Sequence, residues 1–333
     1  MTAAPSHRAV RTTDFAHGIT AIDTEYVRPL HDASHLIADG GRAAFVDTGV
    51  NDSVPLLLQA LQQKDIDAAD VDYVFLTHVH LDHAGGAGLL MQKLPNAVAL
   101  VHPRGARHMI DPGKLVKGSE AVYGQENVRK MYGEILPIAE HRVRVVSDNE
   151  EVRLGGRPLR CLVTEGHARH HYCLADPASD SVFTGDSFGV SYRAFDTAAG
   201  EFIFPTTTPV HFDPPEAHKS VDRIMALEPS QLWLTHYSRV TGLPRLADDM
   251  HRRIDDFVAI ARRHATDTSR TEAMRAAMFS YLEAELAKHG FSVDEETLHT
   301  LLDADVALNT MGLEHWLDHE GQGSDARRRA THS

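Results

Sequence analysis

The feature that most constrains the fold is a run of potential metal ligands, His78, His80, Asp82 and His83, directly after the apolar stretch Val71–Leu76. The length and composition of that stretch are typical of a buried strand. Because His78 and His80 are two residues apart, an extended backbone points both to the same side. Asp82 and His83 follow as the chain turns into a helix. The spacing therefore allows two pairs, each able to grip a separate cation.

Four such groups within six residues are costly to pack together unless a cation neutralises them. Three further candidates follow later apolar stretches, at the ends of predicted strands: His167, Asp186 and His236. Polar ligands that recur at several strand ends are expected at a single cleft along one sheet edge. The sequence therefore predicts a metal centre built from all seven side chains.

Composition narrows the class of protein. The 23 histidines raise the expectation of metal binding, because imidazole is a common ligand for zinc and iron. The net charge of −14 opposes nucleic acid as a partner. With Cys161 and Cys173 as the only cysteines, a disulfide framework and a four-cysteine zinc site are both excluded. We find no apolar run long enough for a signal peptide or membrane span, so we expect no membrane partner and a cytoplasmic protein.

Periodicity predicts an α/β protein in which short strands alternate with helices. The expected strands include 34–38 and 43–47, joined by a turn at Asp39, Gly40 and Gly41. Residues 114–136 look like a helical insertion between strands. We expect a flexible arm over 1–16, a catalytic domain over 17–242, a helical extension over 243–318 and a disordered tail over 319–333. Helical spacing within the extension covers 246–263, 271–289 and 293–317. These helices are expected to form a cap or a dimerisation element, which makes a homodimer one expected assembly.

The ligand run, followed by Gly166-His167, Gly185-Asp186 and the late His236, resembles the ligand order of the metallo-β-lactamase-fold hydrolase superfamily over about residues 17–240. The resemblance implies a four-layer αββα sandwich. It implies one metal on His78, His80 and His167, and a second on Asp82, His83 and His236. Asp186 would bridge the two metals, and Asp47 would support the ligands from behind. A bridging Asp favours the branch of glyoxalase II, lactonases, thioesterases, phosphodiesterases and diiron proteins over the true β-lactamases.

The function expected from this resemblance is hydrolysis of a small-molecule ester, thioester or lactone by a metal-activated hydroxide, with Asp82 also orienting the nucleophile or moving its proton. Mixed histidine and carboxylate ligands suit two divalent ions, zinc first, with iron or manganese as alternatives. His170, His171, Tyr192 and Tyr237 are candidates for contacts with substrate or with the ligands, and structural roles are an alternative for each.

Other functions remain open on the sequence. A phosphodiesterase would need cations close to the metals, for which Arg169 and Arg193 are the candidates. A diiron redox protein and a ligand-binding protein without turnover are further alternatives.

Overall fold

The computed structural model describes residues 9–330, with side chains for residues 9–320. The chain divides into two compact units that interleave along the sequence. Unit 1 runs to Val163 and adds Tyr172–Gly185 and Thr235–Ser238. Unit 2 consists of Thr164–His171, Asp186–Leu234 and the segment from Arg239 onward.

Unit 1 contains a mixed seven-stranded sheet whose strands follow one another in chain order. Neighbouring strands are antiparallel from β1 to β4 and parallel from β4 to β7. The expected turn between β3 and β4 is present, with positive φ at Gly40 and Gly41. The strands are β1 (Thr12–Asp14), β2 (Ile19–Asp23), β3 (Ala33–Asp39), β4 (Arg42–Val46), β5 (Val71–Leu76), β6 (Val98–Val101) and β7 (Val143–Val145).

The helices of unit 1 cover the apolar residues of this sheet. Leu57 and Leu61, one helical turn apart, are buried in the same core as Phe45 and Val74 of the strands. The helices are α1 (Val54–Gln63), α2 (Leu81–Ala84), α3 (Ala87–Lys93), α4 (Pro103–Ile110), α5 (Gly113–Tyr123) and α6 (Gln125–Tyr132). Helices α5 and α6 form the expected insertion. Helix α6 contributes Val128 and Tyr132 to a smaller cluster that also contains Tyr26 and Leu81.

Four strands of a second sheet also lie in unit 1, each antiparallel to the next. They are β8 (Glu151–Leu154), β9 (Arg157–Val163), β10 (Tyr172–Asp176) and β11 (Ser181–Gly185). The buried guanidinium of Arg157 on β9 donates to the carboxylate of Asp176 on β10. This buried ion pair satisfies both charges inside the unit. Two later strands are β12 (Gln231–Leu234) and β13 (Ser238–Val240).

Unit 2 is largely helical. Its helices are α7 (Pro214–Met225), α8 (Leu243–His264), α9 (Arg270–Lys288) and α10 (Glu295–Ala330). Helix α8 packs against α7, α9 and α10. The guanidinium of Arg253 lies over the Phe202 ring, 4.0 Å from its centroid, and tethers α8 to an aromatic stretch of this unit. Within residues 9–330, we find no helix that combines the length and the apolar character of a membrane crossing.

The predicted α/β class, with a helical insertion and three C-terminal helices, is confirmed. Two expectations about the ends differ from the structure. Thr12–Asp14, expected in a flexible arm over 1–16, pairs with β2 as a strand, while residues 1–8 lie outside the described part. The disordered tail expected over 319–333 is helical as far as Ala330, and residues 331–333 are likewise outside it. The domain division at residue 242 stays a prediction, and unit 2 takes segments from both sides of that position.

Candidate metal centre

Asp47, at the end of β4, is the buried anchor of the ligand loop in unit 1. Its carboxylate accepts hydrogen bonds from the Thr77 backbone N–H at 2.9 Å and from the Thr77 and Thr235 hydroxyls at 2.8 Å each. It also accepts from Nδ1 of His83 at 2.9 Å. With its proton on Nδ1, His83 directs the lone pair of Nε2 away from Asp47. Asp47 therefore fixes both the tautomer and the ring orientation of His83.

Asp82 lies between two histidines in unit 1. Its Oδ2 is 3.5 Å from Nε2 of His83 and 3.5 Å from Nε2 of His236. His236 is held from behind as His83 is, because its Nδ1 lies 2.7 Å from Oδ1 of Asp32. Burial raises the pKa of Asp32, but its interactions with His236 and His31 outweigh burial and leave that pKa below the usual range. Asp32 is therefore a carboxylate that orients His236.

These three donor atoms fit a divalent cation. Bonds of about 2.0–2.2 Å at tetrahedral angles place neighbouring ligand atoms about 3.3 Å apart. The observed separations of 3.5 Å from Asp82 to each histidine are close to that value. The three ligand atoms all lie within 4.8 Å of one another. Asp82, His83 and His236 can therefore hold a metal ion without rearrangement of unit 1.

His78 and His80 also face each other in unit 1. Nε2 of His78 lies 2.9 Å from Nδ1 of His80, while the intervening Val79 is fully buried in the apolar core. The Thr77 hydroxyl lies 3.2 Å from the other nitrogen of His78. The extended backbone after β5 thus turns both imidazoles to one side, as the two-residue spacing predicts.

Unit 2 places His167 beside Asp186. Nδ1 of His167 donates to the backbone carbonyl of Thr206 at 3.1 Å, which leaves the lone pair on Nε2. That Nε2 lies 3.4 Å from Oδ2 of Asp186. Both side chains are almost fully buried. This separation is close to the 3.5 Å of the two Asp82 pairs in unit 1, so His167 and Asp186 can also contribute to a metal site.

His171 contacts the backbone of Asp186 and is not itself placed as a ligand. Its Nε2 accepts from the Asp186 backbone N–H at 3.2 Å, so the neutral ring carries its proton on Nδ1. Nδ1 lies 3.0 Å from the hydroxyls of both Thr164 and Ser187. Both ring nitrogens of His171 are therefore engaged in hydrogen bonds with the local backbone and hydroxyl groups. The neighbouring His170 is buried, and its ring meets that of His211 edge-on at 5.4 Å.

The remaining candidates have different surroundings. The buried Tyr192 donates its hydroxyl to Asp305 of α10 at 2.9 Å, which gives it a structural role in unit 2. Tyr237 is buried in unit 1. Of the two arginines considered for a phosphodiesterase, Arg193 donates to the Ser191 carbonyl and hydroxyl at 2.7 Å and forms an ion pair with Asp196 at 3.3 Å. The other, Arg169, is exposed.

Sequence reasoning missed His31 and Asp32. Nδ1 of His31 lies 2.5 Å from Oδ1 of Asp32, the same oxygen that faces His236. The two residues immediately precede β3. The local signal was a His-Asp pair directly before a predicted strand, whereas the other candidates follow strands.

The sequence profile of the metallo-β-lactamase superfamily matches residues 27–236, a range that begins before Asp32 and ends at His236. The chain belongs to the metallo-β-lactamase superfamily. A metallo-β-lactamase fold-containing protein of Sulfurisphaera tokodaii, ST1585, is 30% identical over 209 residues, which cover 61% of this chain and 71% of that protein. The solved structure of ST1585 from Sulfolobus tokodaii has a TM-score of 0.64 at 23% identity and covers 90% of this chain and 99% of that one.

Two further relatives carry enzyme names. An atrochrysone carboxyl ACP thioesterase of Aspergillus fumigatus is 22% identical over 291 residues, 86% of this chain and 54% of the relative. A hydroxyacylglutathione hydrolase of Stenotrophomonas maltophilia is 30% identical over 152 residues, 46% of this chain and 44% of the relative. The chain thus spans about half the length of these two relatives. Among residues 9–320, the His and Asp clusters described above are able to hold metal ions.

Proposed function

We propose that this protein is a hydrolase with two divalent metal ions that cleaves a small-molecule thioester, ester or lactone. The proposal assigns one ion to His78, His80 and His167, the other to Asp82, His83 and His236, and a bridging role to Asp186. Its support is the order of these residues along a chain of this superfamily, together with the separations of the donor atoms within each unit. Zinc is the proposed metal, because histidine and carboxylate ligands suit it.

The observation that carries the proposal is the symmetric placement of Asp82. Two imidazoles point Nε2 toward its Oδ2, at 3.5 Å each, and each is held at Nδ1 by a buried carboxylate. A carboxylate behind each ring is the usual arrangement for histidines that bind a metal. An ordinary buried ion pair does not require two rings aimed at one oxygen.

When bound, the metal ions supply a water nucleophile of lowered pKa and polarise the carbonyl under attack. The chain itself supplies the proton transfer. The Asp82 side chain is 24% exposed, whereas His83 is fully buried and His236 almost so. Asp82 is therefore placed to take a proton from the nucleophile and pass it toward the departing group.

The surroundings of Asp82 support an acyl substrate over a phosphodiester. The charge of Asp82 contributes to raising the pKa of three nearby phenols, those of Tyr26, Tyr123 and Tyr132. Burial, followed by the charge of Asp82, raises the pKa of Tyr123 to about 12, so its phenol stays protonated and uncharged. A phosphodiester would call for cations close to the metals, and of the two candidates in unit 2, Arg193 is engaged by Ser191 and Asp196 and Arg169 is exposed. The thioesterase and hydroxyacylglutathione hydrolase among the relatives agree with a thioester.

The test combines metal analysis with a hydrolysis screen of acyl thioesters, aryl esters, lactones and phosphodiesters. We expect about two metal ions per chain and turnover of an acyl substrate. Asp82→Asn should lower kcat at least about 100-fold, since proton transfer by a side chain contributes roughly 10²–10⁴. Asp52→Asn, at an exposed carboxylate, is the matched control. Absence of bound metal, or turnover restricted to phosphodiesters, would refute the proposal.

A further inference from the structure

The C-terminal helix α10 holds a short loop of unit 2 through a buried asparagine. Oδ1 of Asn309 accepts from the Thr207 backbone N–H at 2.6 Å and from its hydroxyl at 3.0 Å. The same hydroxyl lies 2.9 Å from the backbone carbonyl of Asn309. Thr207 is fully buried, and Asn309 is 2% exposed. The loop is therefore fixed to one position along α10.

Gly312, three residues further along α10, brings the helix backbone against the same loop. A Cβ placed on Gly312 would lie 1.4 Å from the carbonyl oxygen of Thr207 and 2.6 Å from its carbonyl carbon. Both of these are backbone atoms, so no side-chain adjustment can relieve the overlap. Asn309 and Gly312 share one face of the helix, because residues three apart are neighbours on its surface. This face of α10 thus clamps the loop at two points.

The peptide group between Thr206 and Thr207 connects this clamp to a proposed metal ligand. Its N–H donates to Asn309, and its C=O accepts from Nδ1 of His167 at 3.1 Å. A peptide group is planar, so the direction of its N–H fixes the direction of its C=O. Donation by the N–H also polarises the C=O and strengthens it as an acceptor. The orientation of the His167 ring is therefore set by a single rigid group that α10 holds.

We infer that Asn309 is a positioning residue for the metal centre, acting through the Thr206–Thr207 peptide to hold His167 as the Nδ1–H tautomer with Nε2 toward the metal. The inference rests on the proposed function, in which His167 is a ligand. It gives the C-terminal helix a role in the chemistry of the site. Without Asn309, the Thr207 N–H is left buried without its acceptor, and the peptide is able to rotate.

The first experiment compares Asn309→Leu, which removes the acceptor at similar size, with Asn309→Asp, which retains it. Zinc affinity is measured by competition with a chromogenic chelator. The tautomer of His167 is read from ¹⁵N shifts of the metal-free protein. We expect Asn309→Leu to weaken zinc binding about 10-fold, the lower end for residues that support a ligand. It should also give a mixture of His167 tautomers, and Asn309→Asp should restore both readouts. Asn96→Leu, at an exposed asparagine, is the matched control.

A second pair of variants keeps the test decisive if Asn309→Leu does not fold. Gly312→Ala pushes α10 away from Thr207 while retaining Asn309, and it should weaken zinc binding in the same direction. Gly118→Ala is its control, because a Cβ on that helical glycine of α5 meets nothing within 4 Å.

The two proposals fail in different ways. Unchanged zinc affinity and an unchanged His167 tautomer in the folded Asn309 and Gly312 variants would overturn the role of Asn309 and leave the metal centre standing. Unchanged zinc affinity in His167→Ala would instead remove His167 from the proposed metal centre.

Discussion

Two buried carboxylates determine which nitrogen each of two proposed ligands offers. Asp47 binds Nδ1 of His83 and Asp32 faces Nδ1 of His236, at 2.9 and 2.7 Å. Partners of this kind raise the basicity of the imidazole and hold its ring, so their loss weakens metal binding without removing a ligand. Asp47 has a further role, since the two threonines that it binds, Thr77 and Thr235, each lie next to a proposed ligand.

Replacing Asp47 by Asn tests this support. Asn keeps the shape and tolerates the positive φ of 56° at this position, so folding should persist. Loss of the charge that His83 faces should weaken zinc binding by about 10- to 100-fold in a chelator competition assay. Asp23→Asn is the control, because Asp23 is a buried carboxylate of unit 1 that accepts from the backbone N–H groups of Glu25 and Leu30. Equal zinc affinities for the two variants would contradict the role assigned to Asp47.

The sequence identified residues whose signal was local. His78, His80, Asp82 and His83 occupy a single run after an apolar strand, so spacing and strand pattern were sufficient to select them, whereas Asp47 was selected through the superfamily resemblance. Asp32 could not be found this way, because it acts on a residue 204 positions later, and only the fold brings the two together. Similarly, His171 was a candidate for substrate contact, and only the structure shows Asp186 and Ser187 at its nitrogens.

At the scale of elements, the sequence was most informative where apolar residues were dense. The strand predicted over Val71–Leu76 has the observed bounds. The strands that went unrecognised include β7 and β8, which have three and four residues with charged residues between the apolar ones. Such short strands depend on a neighbouring strand more than on their own propensity. Helix α4 was also missed, although Pro103 in its first turn was an available start signal.

The C-terminal end shows why composition misled. The stretch over 319–333 has few apolar residues, which is typical of disorder. Three arginines and two alanines in this stretch are good helix formers, and its two glycines are not.

Gly166, directly before His167, lies in close contact with the backbone of helix α7. It has a φ of +132°, and a Cβ there would lie 2.5 Å from the backbone N and Cα of Ala217. Gly166→Ala should destabilise the protein by about 3 kcal/mol or more, because backbone strain and overlap with a helix add together. Urea unfolding followed by circular dichroism measures this.

The control for Gly166 separates backbone strain from overlap. Gly41 has a φ of +77° with nothing within 4 Å of an added Cβ, so Gly41→Ala carries the strain alone, about 1–2 kcal/mol. Equal losses in the two variants would show that contact with α7 contributes nothing.

At the scale of the whole molecule, the two compact units do not follow continuity along the chain. We expected one catalytic domain over 17–242, yet the segments that carry His167 and Asp186 cluster with the C-terminal helices in unit 2. The segment Thr235–Ser238, which carries His236, clusters with unit 1. Short segments that belong to a different unit from their sequence neighbours therefore distribute the proposed ligands between the two units. Hydrophobic periodicity does not reveal which unit such a segment joins. A superfamily resemblance supplied the ligand order that local patterns could not.

The stability of the whole protein should depend on pH through a histidine remote from the proposed ligands in sequence. His35 on β3 is fully buried, edge-on to Phe183 at 5.4 Å and 3.4 Å from the Ser238 hydroxyl. Burial lowers the pKa of His35 to about 3. In the unfolded chain the pKa of a histidine is about 6.5. Between these two values the unfolded state binds a proton that the folded state excludes, so acid favours unfolding.

The stabilisation from the neutral His35 is therefore complete above about pH 6.5 and is lost as the pH falls toward 3. From pH 6 to pH 5 this single group should lower the free energy of unfolding by about 1 kcal/mol. His35→Gln should show a correspondingly shallower fall in urea unfolding measured at the two pH values. The same substitution at the exposed His141 controls for loss of an imidazole. If His35→Gln and the wild type lose stability equally over this interval, His35 is protonated in the folded protein and its burial does not govern the acid sensitivity of the fold.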